Sequence, residues 1–327
     1  MAHIKTSRLS DEEKELMSKN YISWQQGQEY VRVEPGRCTL PIAYEKLKDK
    51  IYNWPLGDGD VFVFGWVKTG TTWAREMVWC LLNDCQLEKA KQKQLNERIP
   101  FIDMAVIADF DGNCEKELGL KSEEVIDKLR KLPSPKTLKS HLPFDLFPPD
   151  LLDKSKVVMC LRNPKDTLVS YYHHEKLLKL HGFTGTFADY FDIFMRNLMI
   201  YGDYFEYATT AWKKRDHPNM CIIFYEEMKK DLSAVVKKVG KFLKKEVTEE
   251  QVEKLVEHLS FKTMKNNKTV NNEAIRGVAF VPGQNGSFIR KGEVGDWKNY
   301  FTDEMNKKMD AEIDRRFKGI GLEFEYE

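Results

Sequence analysis

The chain of 327 residues lacks any apolar run long enough to cross a membrane, and its opening stretch, MAHIKTSRLSDEEKELMSKN, is too polar and charged for a secretory leader. It also lacks a surplus of charge. Fifty-two Lys and Arg face 51 Asp and Glu, a net of +1, which leaves no general basic field for nucleic acid. No C-x-x-C pair occurs among its six cysteines (Cys38, Cys80, Cys85, Cys114, Cys160 and Cys221), and Cys80, Cys160 and Cys221 sit inside apolar runs. That pattern predicts reduced, partly core-packed thiols rather than a disulfide frame or a metal site. Repeats and low-complexity linkers are absent as well. The expectation is a cytoplasmic protein with no nucleic-acid partner, no membrane segment and no metal. What is present is an ordinary enzyme composition, 42% hydrophobic and 31% charged, with enough chain to bury a large core.

Apolar runs alternate with helical patterns, which predicts an α/β fold: a central parallel sheet flanked by helices, in a single domain over 1–327. Residues 1–45 read as an N-terminal extension. The predicted strands are Val61–Phe64, Thr137–His141, Val157–Leu161 and Cys221–Tyr225. Helices are expected over Ala74–Leu82 and Asp166–Leu180 and within Tyr190–Lys214. Another is expected over Thr248–Leu259, behind a Thr248/Gln251 capping box. A last helix starts at a Thr302 cap, carries Met305, Met309, Ile313 and Phe317 on one face, and has Gly319 as its stop. Gln86–Asn113 and Met264–Gly292 read as irregular. The second ends in Phe288-Ile289-Arg290-Lys291-Gly292 and is read as a lid closing on an anion.

The most telling stretch is Gly65-Trp66-Val67-Lys68-Thr69-Gly70-Thr71-Thr72-Trp73, between a buried strand and a helix start. Free backbone N–H groups, the helix dipole and hydroxyls converge there, so it suits a phosphate-bearing ligand. A nucleotide-triphosphate loop requires Lys directly after the second Gly, and here Thr71 follows Gly70 while Lys68 lies inside the loop. On spacing alone the stretch fits a phosphate cradle or a tight strand–helix turn about equally. Arg162 falls at the carboxyl end of a strand, before a helix entered through Asn163-Pro164-Lys165-Asp166, and Ser170 lies about two turns beyond Asn163. Lys139-Ser140-His141-Leu142-Pro143 places a histidine at a strand end, where it can act as a general base. His173 and His174 read as packing or solvated residues. His3, His181, His217 and His258 have no visible constellation around them.

Six ordered motifs together give the chain a resemblance to the cytosolic sulfotransferases from about Trp54 to Phe301. They are Lys68-Thr69-Gly70-Thr71-Thr72-Trp73, Lys139-Ser140-His141-Leu142-Pro143, Arg162-Asn163-Pro164-Lys165-Asp166 with Ser170-Tyr171-Tyr172, Phe224-Tyr225-Glu226-Glu227-Met228, Ser260-Phe261-Lys262-Thr263-Met264, and Arg290-Lys291-Gly292 running on to Gly295-Asp296-Trp297-Lys298. The resemblance implies transfer of a sulfuryl group from 3′-phosphoadenosine 5′-phosphosulfate to a hydroxyl or amine of a small, largely apolar acceptor: a phenol, a sterol-like alcohol or a biogenic amine. It implies that Lys68, Thr69, Gly70, Thr71, Thr72 and Trp73 hold the 5′-phosphosulfate. Arg162, Ser170 and the segment from Phe288 to Arg290, Lys291 and Gly292 would hold the 3′-phosphate. Trp73, Tyr225, Ser260, Phe261 and Met264 would surround the adenine. His141 would be the base, with Lys139 beside it and Lys68 and Ser170 assisting the transfer.

The chain departs from the family pattern in three places. Trp66-Val67 stands where Tyr-Pro is usual, which predicts a slightly looser loop. Leu259 stands where a threonine is common. In the family's dimerisation segment Asp303 replaces an apolar residue and Lys307 replaces an acid, so a homodimer through Lys298–Lys307 is in doubt. Phe101, Ile102, Met104, Phe144, Phe147 and Phe183 are candidate acceptor-pocket residues, with core packing the alternative for each. The competing functions are a dehydratase acting through a transient sulfate ester, a nucleotide kinase with an atypical loop, and a nucleotide-binding module without turnover.

Overall fold

In a computed structural model the described residues are 4–107, 121–273, 276–283 and 286–327. Near the N-terminus, β1 (Lys5–Arg8), β2 (Tyr30–Glu34) and β3 (Cys38–Pro41) form an antiparallel sheet in the order β1-β2-β3. The region expected to be a mere extension is therefore folded. Val31 and Val33 alternate inward on β2 and are fully buried, whereas β1 is polar and carries no apolar signal. A ten-residue helix, Asp11–Asn20, precedes β2 behind a Ser10/Glu13 capping box.

The central sheet contains β4 (Val61–Gly65), β5 (Thr137–Ser140), β6 (Lys156–Leu161) and β7 (Met220–Phe224), all parallel, in the order β5-β4-β6-β7. Each predicted strand is present, with ends shifted by one residue. Side-chain alternation divides the core between the two faces of this sheet. Phe62 and Phe64 pack on one side with Phe144, Phe147 and Tyr171, and Val61 and Val63 pack on the other with Met77, Val78, Val158 and Val236.

The helices largely follow the sequence reading, although the one expected to reach Leu180 stops at Leu177, where Leu178 turns extended. Thr71–Leu82, Pro164–Leu177, Glu249–His258 and Asp303–Phe317 are helical, the last two capped by Thr248 and Thr302 as expected. The 190–214 region instead divides into Phe187–Met195 and Tyr204–Lys213. Asn197, Tyr201 and Gly202 all have positive φ between them, and no helix continues through that backbone. The C-terminal helix does not run to Gly319. It tightens into a 3₁₀ turn at Lys318–Ile320, and Gly321, at φ 67°, makes the left-handed exit. Gln86–Asn113 holds short helices at Leu87–Ala90, Leu95–Arg98 and Met104–Ile107, and its residues from 108 onward lie outside the described residues.

Candidate active site

Each of the four central strands ends where a motif begins: β4 at Gly65, β5 at Ser140, β6 at Leu161 and β7 at Phe224. A parallel sheet brings all its carboxyl ends to one edge, so distant motifs share one cleft. A cavity of about 1200 Å³ lies there.

The turn after β4 requires unusual backbone. Lys68 sits at φ 66° and Gly70 at φ 102°. A Cβ at Gly70 would stand 2.9 Å from the Tyr225 ring, so only glycine fits both the φ and the space. Thr69 is fully buried, and its hydroxyl is spent on the Trp66 carbonyl at 2.7 Å. It shapes the turn and does not reach the cavity wall, whereas Lys68, Gly70, Thr71, Thr72 and Trp73 do. The expected loosening at Trp66-Val67 is not what the packing shows. Trp66 is fully buried, donates its indole N–H to the Tyr201 carbonyl at 3.2 Å, and meets the Tyr171, Phe194 and Tyr204 rings edge-on.

Cations crowd this end of the cleft. Arg162 lies over the Tyr225 ring at 4.1 Å and donates to the Glu293 carbonyl at 2.9 Å, and its buried Nε has no partner. Asp166 is 3.9 Å from the Arg162 guanidinium, but its carboxylate is engaged by the backbone N–H groups of Gly295 and Trp297 at 2.8 and 3.0 Å. That bracket fixes the Arg290–Asp296 loop against Arg162. Arg290 and Lys291 each reach Asp296 at 2.6 Å. Burial alone would raise the Asp296 carboxyl, but hydrogen bonds from Lys291, Arg290 and Asn299 bring it down to about 2. Gly292, at φ 69°, packs flat on Phe261, where a Cβ would stand 2.3 Å from the ring. Lys68 reaches over the Phe288 ring at 4.4 Å. Burial, then Arg162, then Arg290, pull its ammonium down to about 7. Such mutual repulsion, with an unpartnered Arg162 Nε, fits a polyanionic ligand.

The base candidate is well defined. The ring Nδ1 of His141 lies against the Gly65 carbonyl, which only accepts, so Nδ1 carries the proton and Nε2 keeps its lone pair. Burial first, then Lys139, push the imidazolium far down, so the ring is neutral. Asp103 anchors the strand end by accepting from the Ser140 hydroxyl at 2.5 Å and the His141 N–H at 2.7 Å. Burial raises the Asp103 carboxyl to about 6 against those hydrogen bonds. Lys139 lies 3.5 Å over the Phe101 ring, and burial and Arg75 hold it far below the usual lysine range.

The rest of the sequence-derived set divides. Ser170, Tyr225, Phe261, Met264, Phe288, Arg290, Lys291 and Gly292 line the cavity. Ser260 does not: its hydroxyl caps the Phe261–Asn266 helix by accepting from the Thr263 N–H at 3.3 Å. Of the six acceptor-pocket candidates, Phe101 and Met104 line the cavity, while Ile102, Phe144, Phe147 and Phe183 are core residues. Sequence reasoning missed Arg75, Asp103, Tyr201, His174 and His181. His174, half-buried, packs on the Tyr171 and Phe288 rings as the packing reading expects, while His181 is buried and, unlike its reading, has company; both line the cavity. His181 Nδ1 faces Glu175 at 3.6 Å, and burial raises the Glu175 carboxyl to about 7 against bonds from Tyr21, Tyr171 and Tyr190. His258 also has a constellation, with Nε2 2.8 Å from Glu76. The 180° alternation of a strand end carries no signal for such partners, because they come from other segments.

Two separate segments roof the acceptor end. Backbone bonds run from Lys179 N to Ala279 O and from Val281 N to Leu177 O, both 2.9 Å, and from Ile22 N to Gly182 O at 3.0 Å. The segment read as a lid lines the cavity in two places, at Phe280–Pro282 and at Phe288–Gly292.

A P-loop-like strand–loop–helix feeding a cationic pocket, beside a neutral histidine and an apolar chamber, defines an enzyme class that moves a group from a phosphorylated nucleotide to an apolar acceptor. The sulfotransferase-domain family model matches residues 58–321, and the chain belongs to that family. Among its relatives, luciferin sulfotransferase of Photinus pyralis is 33% identical over 94% of this chain and 84% of that protein. Sulfotransferase 1B1 of Mus musculus is 31% identical over 94% of this chain and 98% of its own length. Among solved structures, retinol dehydratase in complex with retinol and PAP superposes with a TM-score of 0.91 at 34% identity, covering 98% of this chain and 99% of that one. The protein is an enzyme, a sulfotransferase that takes its sulfuryl group from 3′-phosphoadenosine 5′-phosphosulfate and passes it to a small-molecule acceptor. These findings do not favour the kinase or dehydratase alternatives. No helix among the described residues is long and apolar enough to cross a membrane.

Proposed function

We propose that His141 is the general base of the transfer, and one observation carries this: a neutral ring whose tautomer is set by the Gly65 carbonyl, leaving Nε2 free on the cavity wall. Nε2 takes the acceptor's proton as its oxygen attacks sulfur. Sulfuryl transfer parallels phosphoryl transfer in placing charge on the leaving oxygen. Lys68 neutralises that charge, and Thr71 and Thr72 donate to it. Arg162, Ser170, Arg290 and Lys291 hold the 3′-phosphate, while Trp73, Tyr225, Phe261 and Met264 enclose the adenine. Lys139 and Phe101 orient the acceptor beside His141. The Gly70 space, the crowded cations and the Arg162 Nε support this donor site.

The domain is a single catalytic unit over 1–327, acting in the cytoplasm on a phenol, a sterol-like alcohol or an amine. A homodimer is possible but disfavoured through Lys298–Lys307, because the exposed Asp303 stands where the family carries an apolar residue and the exposed Lys307 where it carries an acid. His141→Ala tests the central assignment. Turnover should fall by roughly 10²–10⁴-fold while PAP affinity stays within about twofold. Unchanged turnover removes His141 as base.

A further inference from the structure

At the donor end, Arg162 lies by Asp166, and Arg290 and Lys291 meet Asp296. Among the described residues, no carboxylate forms an ion pair with Arg75. It lies one turn into the Thr71–Leu82 helix, only 4% exposed, on the cavity wall. Its Nη2 donates to three neutral oxygens: the Leu95 carbonyl at 3.2 Å, Asn96 Oδ1 at 2.9 Å and the Ile99 carbonyl. Its Nε is buried without a partner. The adjacent carboxylate, Glu76, is already committed to Arg98 at 2.6 Å and His258 at 2.8 Å. Burial and Arg98 accordingly drag the Arg75 guanidinium down to about 9.

Arg75 belongs to the acceptor end. It is among the cations that depress Lys139 and His141, whereas those that depress Lys68 are Arg162 and Arg290. The Asn96 partner of Arg75 and the neighbouring Gln94 and Thr269 give the lining there polar groups, unlike the apolar stretch at Phe280–Pro282. A buried guanidinium is stabilised by an anion, and with Nη2 already spent on three oxygens an anion would meet Arg75 through a single remaining N–H rather than through the planar fork.

We infer that Arg75 anchors a carboxylate on the acceptor, so that the preferred substrates are amphiphilic hydroxy acids. The hydroxyl meets His141 Nε2, the apolar body lies along Phe101 and Met104, and the carboxylate seats on Arg75 among the neighbouring amides. This assignment rests on the sulfotransferase reading above and narrows its acceptor class, disfavouring amines, whose cations would face Arg75 and Lys139.

The test compares 3-(4-hydroxyphenyl)propionate with its methyl ester, two probes that share a phenol and differ in one charge. Binding of each to the PAP-loaded protein is measured by calorimetry, with sulfuryl transfer measured in parallel. The acid should bind roughly tenfold to a hundredfold more tightly than the ester, as expected of one buried charge-assisted hydrogen bond. Arg75→Gln should collapse that ratio towards one, and Arg75→Lys should leave an intermediate ratio. A wild-type ratio near one, no binding of the acid, or a ratio unchanged in Arg75→Gln overturns the assignment. If Arg75→Gln does not fold, the wild-type and Arg75→Lys ratios decide. Absence of transfer to neutral phenols as well would fail the enzyme reading instead, which binding and transfer together separate.

Discussion

His141 and Lys68 are both held away from the charge state that water would give them. His141 is neutral because burial and Lys139 penalise the imidazolium, and its Nδ1 proton is tied to Gly65. Lys68 sits near half-protonation at pH 7 because burial first, and then repulsion from Arg162 and Arg290, disfavour its charge. An anionic ligand reverses that repulsion and raises the Lys68 pKa, so PAP binding should draw in protons. The sign sets the window: at pH 6 the lysine is already protonated and uptake is small, while at pH 8 it approaches about one proton. Calorimetry in buffers of different ionisation enthalpy measures this, and Lys68→Met should abolish it. Arg162→Ala should weaken PAP binding by roughly tenfold to a hundredfold through loss of a charged hydrogen-bonding partner, as read by titration. The residues legible in the sequence were those inside contiguous motifs, such as Lys68, His141 and Arg162. Asp103 and Arg75 were not, because their meaning lies in contacts with Ser140 and with the Leu95–Ile99 turn, which only folding creates. Thr69 and Ser260 sat in the right motifs, but in this structure their hydroxyls serve the backbone.

At the scale of elements, the β4–loop–helix unit depends on Gly70. Its φ of 102° and the Tyr225 ring 2.9 Å from a virtual Cβ leave no room for alanine. Gly70→Ala should cost about 1–3 kcal/mol and weaken PAP binding, measured by denaturant unfolding and titration. The central strands were legible because buried parallel strands are continuous apolar runs, and the Thr248 and Thr302 caps announce their helices. The N-terminal sheet was hidden because Lys5–Arg8 is polar and pairs through its backbone with β2. The break after Met195 was hidden because positive φ at Asn197 and Tyr201 leaves no compositional mark.

For the whole molecule, the proposed reaction predicts a product that keeps its sulfate. Mass spectrometry of products from a phenol and an apolar alcohol should show the gain of one sulfuryl group, and a dehydrated product would point to elimination instead. Sedimentation at micromolar concentration should show no dimer dependent on Lys298–Lys307. A variant restoring an apolar residue at 303 and an acid at 307, if it alone dimerises, would identify those two changes as the cause.

The roof of the acceptor chamber is closed by main-chain bonds, from Lys179 to Ala279, Val281 to Leu177 and Ile22 to Gly182. Backbone closure is indifferent to side-chain identity. Phe280, Pro282 and Ile22 line the chamber beside these main-chain bonds, whereas a Cβ at Gly70 would strike the Tyr225 ring. The chamber's closure is thus carried by the main chain and its lining by side chains, so substitutions at Pro282 and Ile22 should alter acceptor preference more than donor affinity.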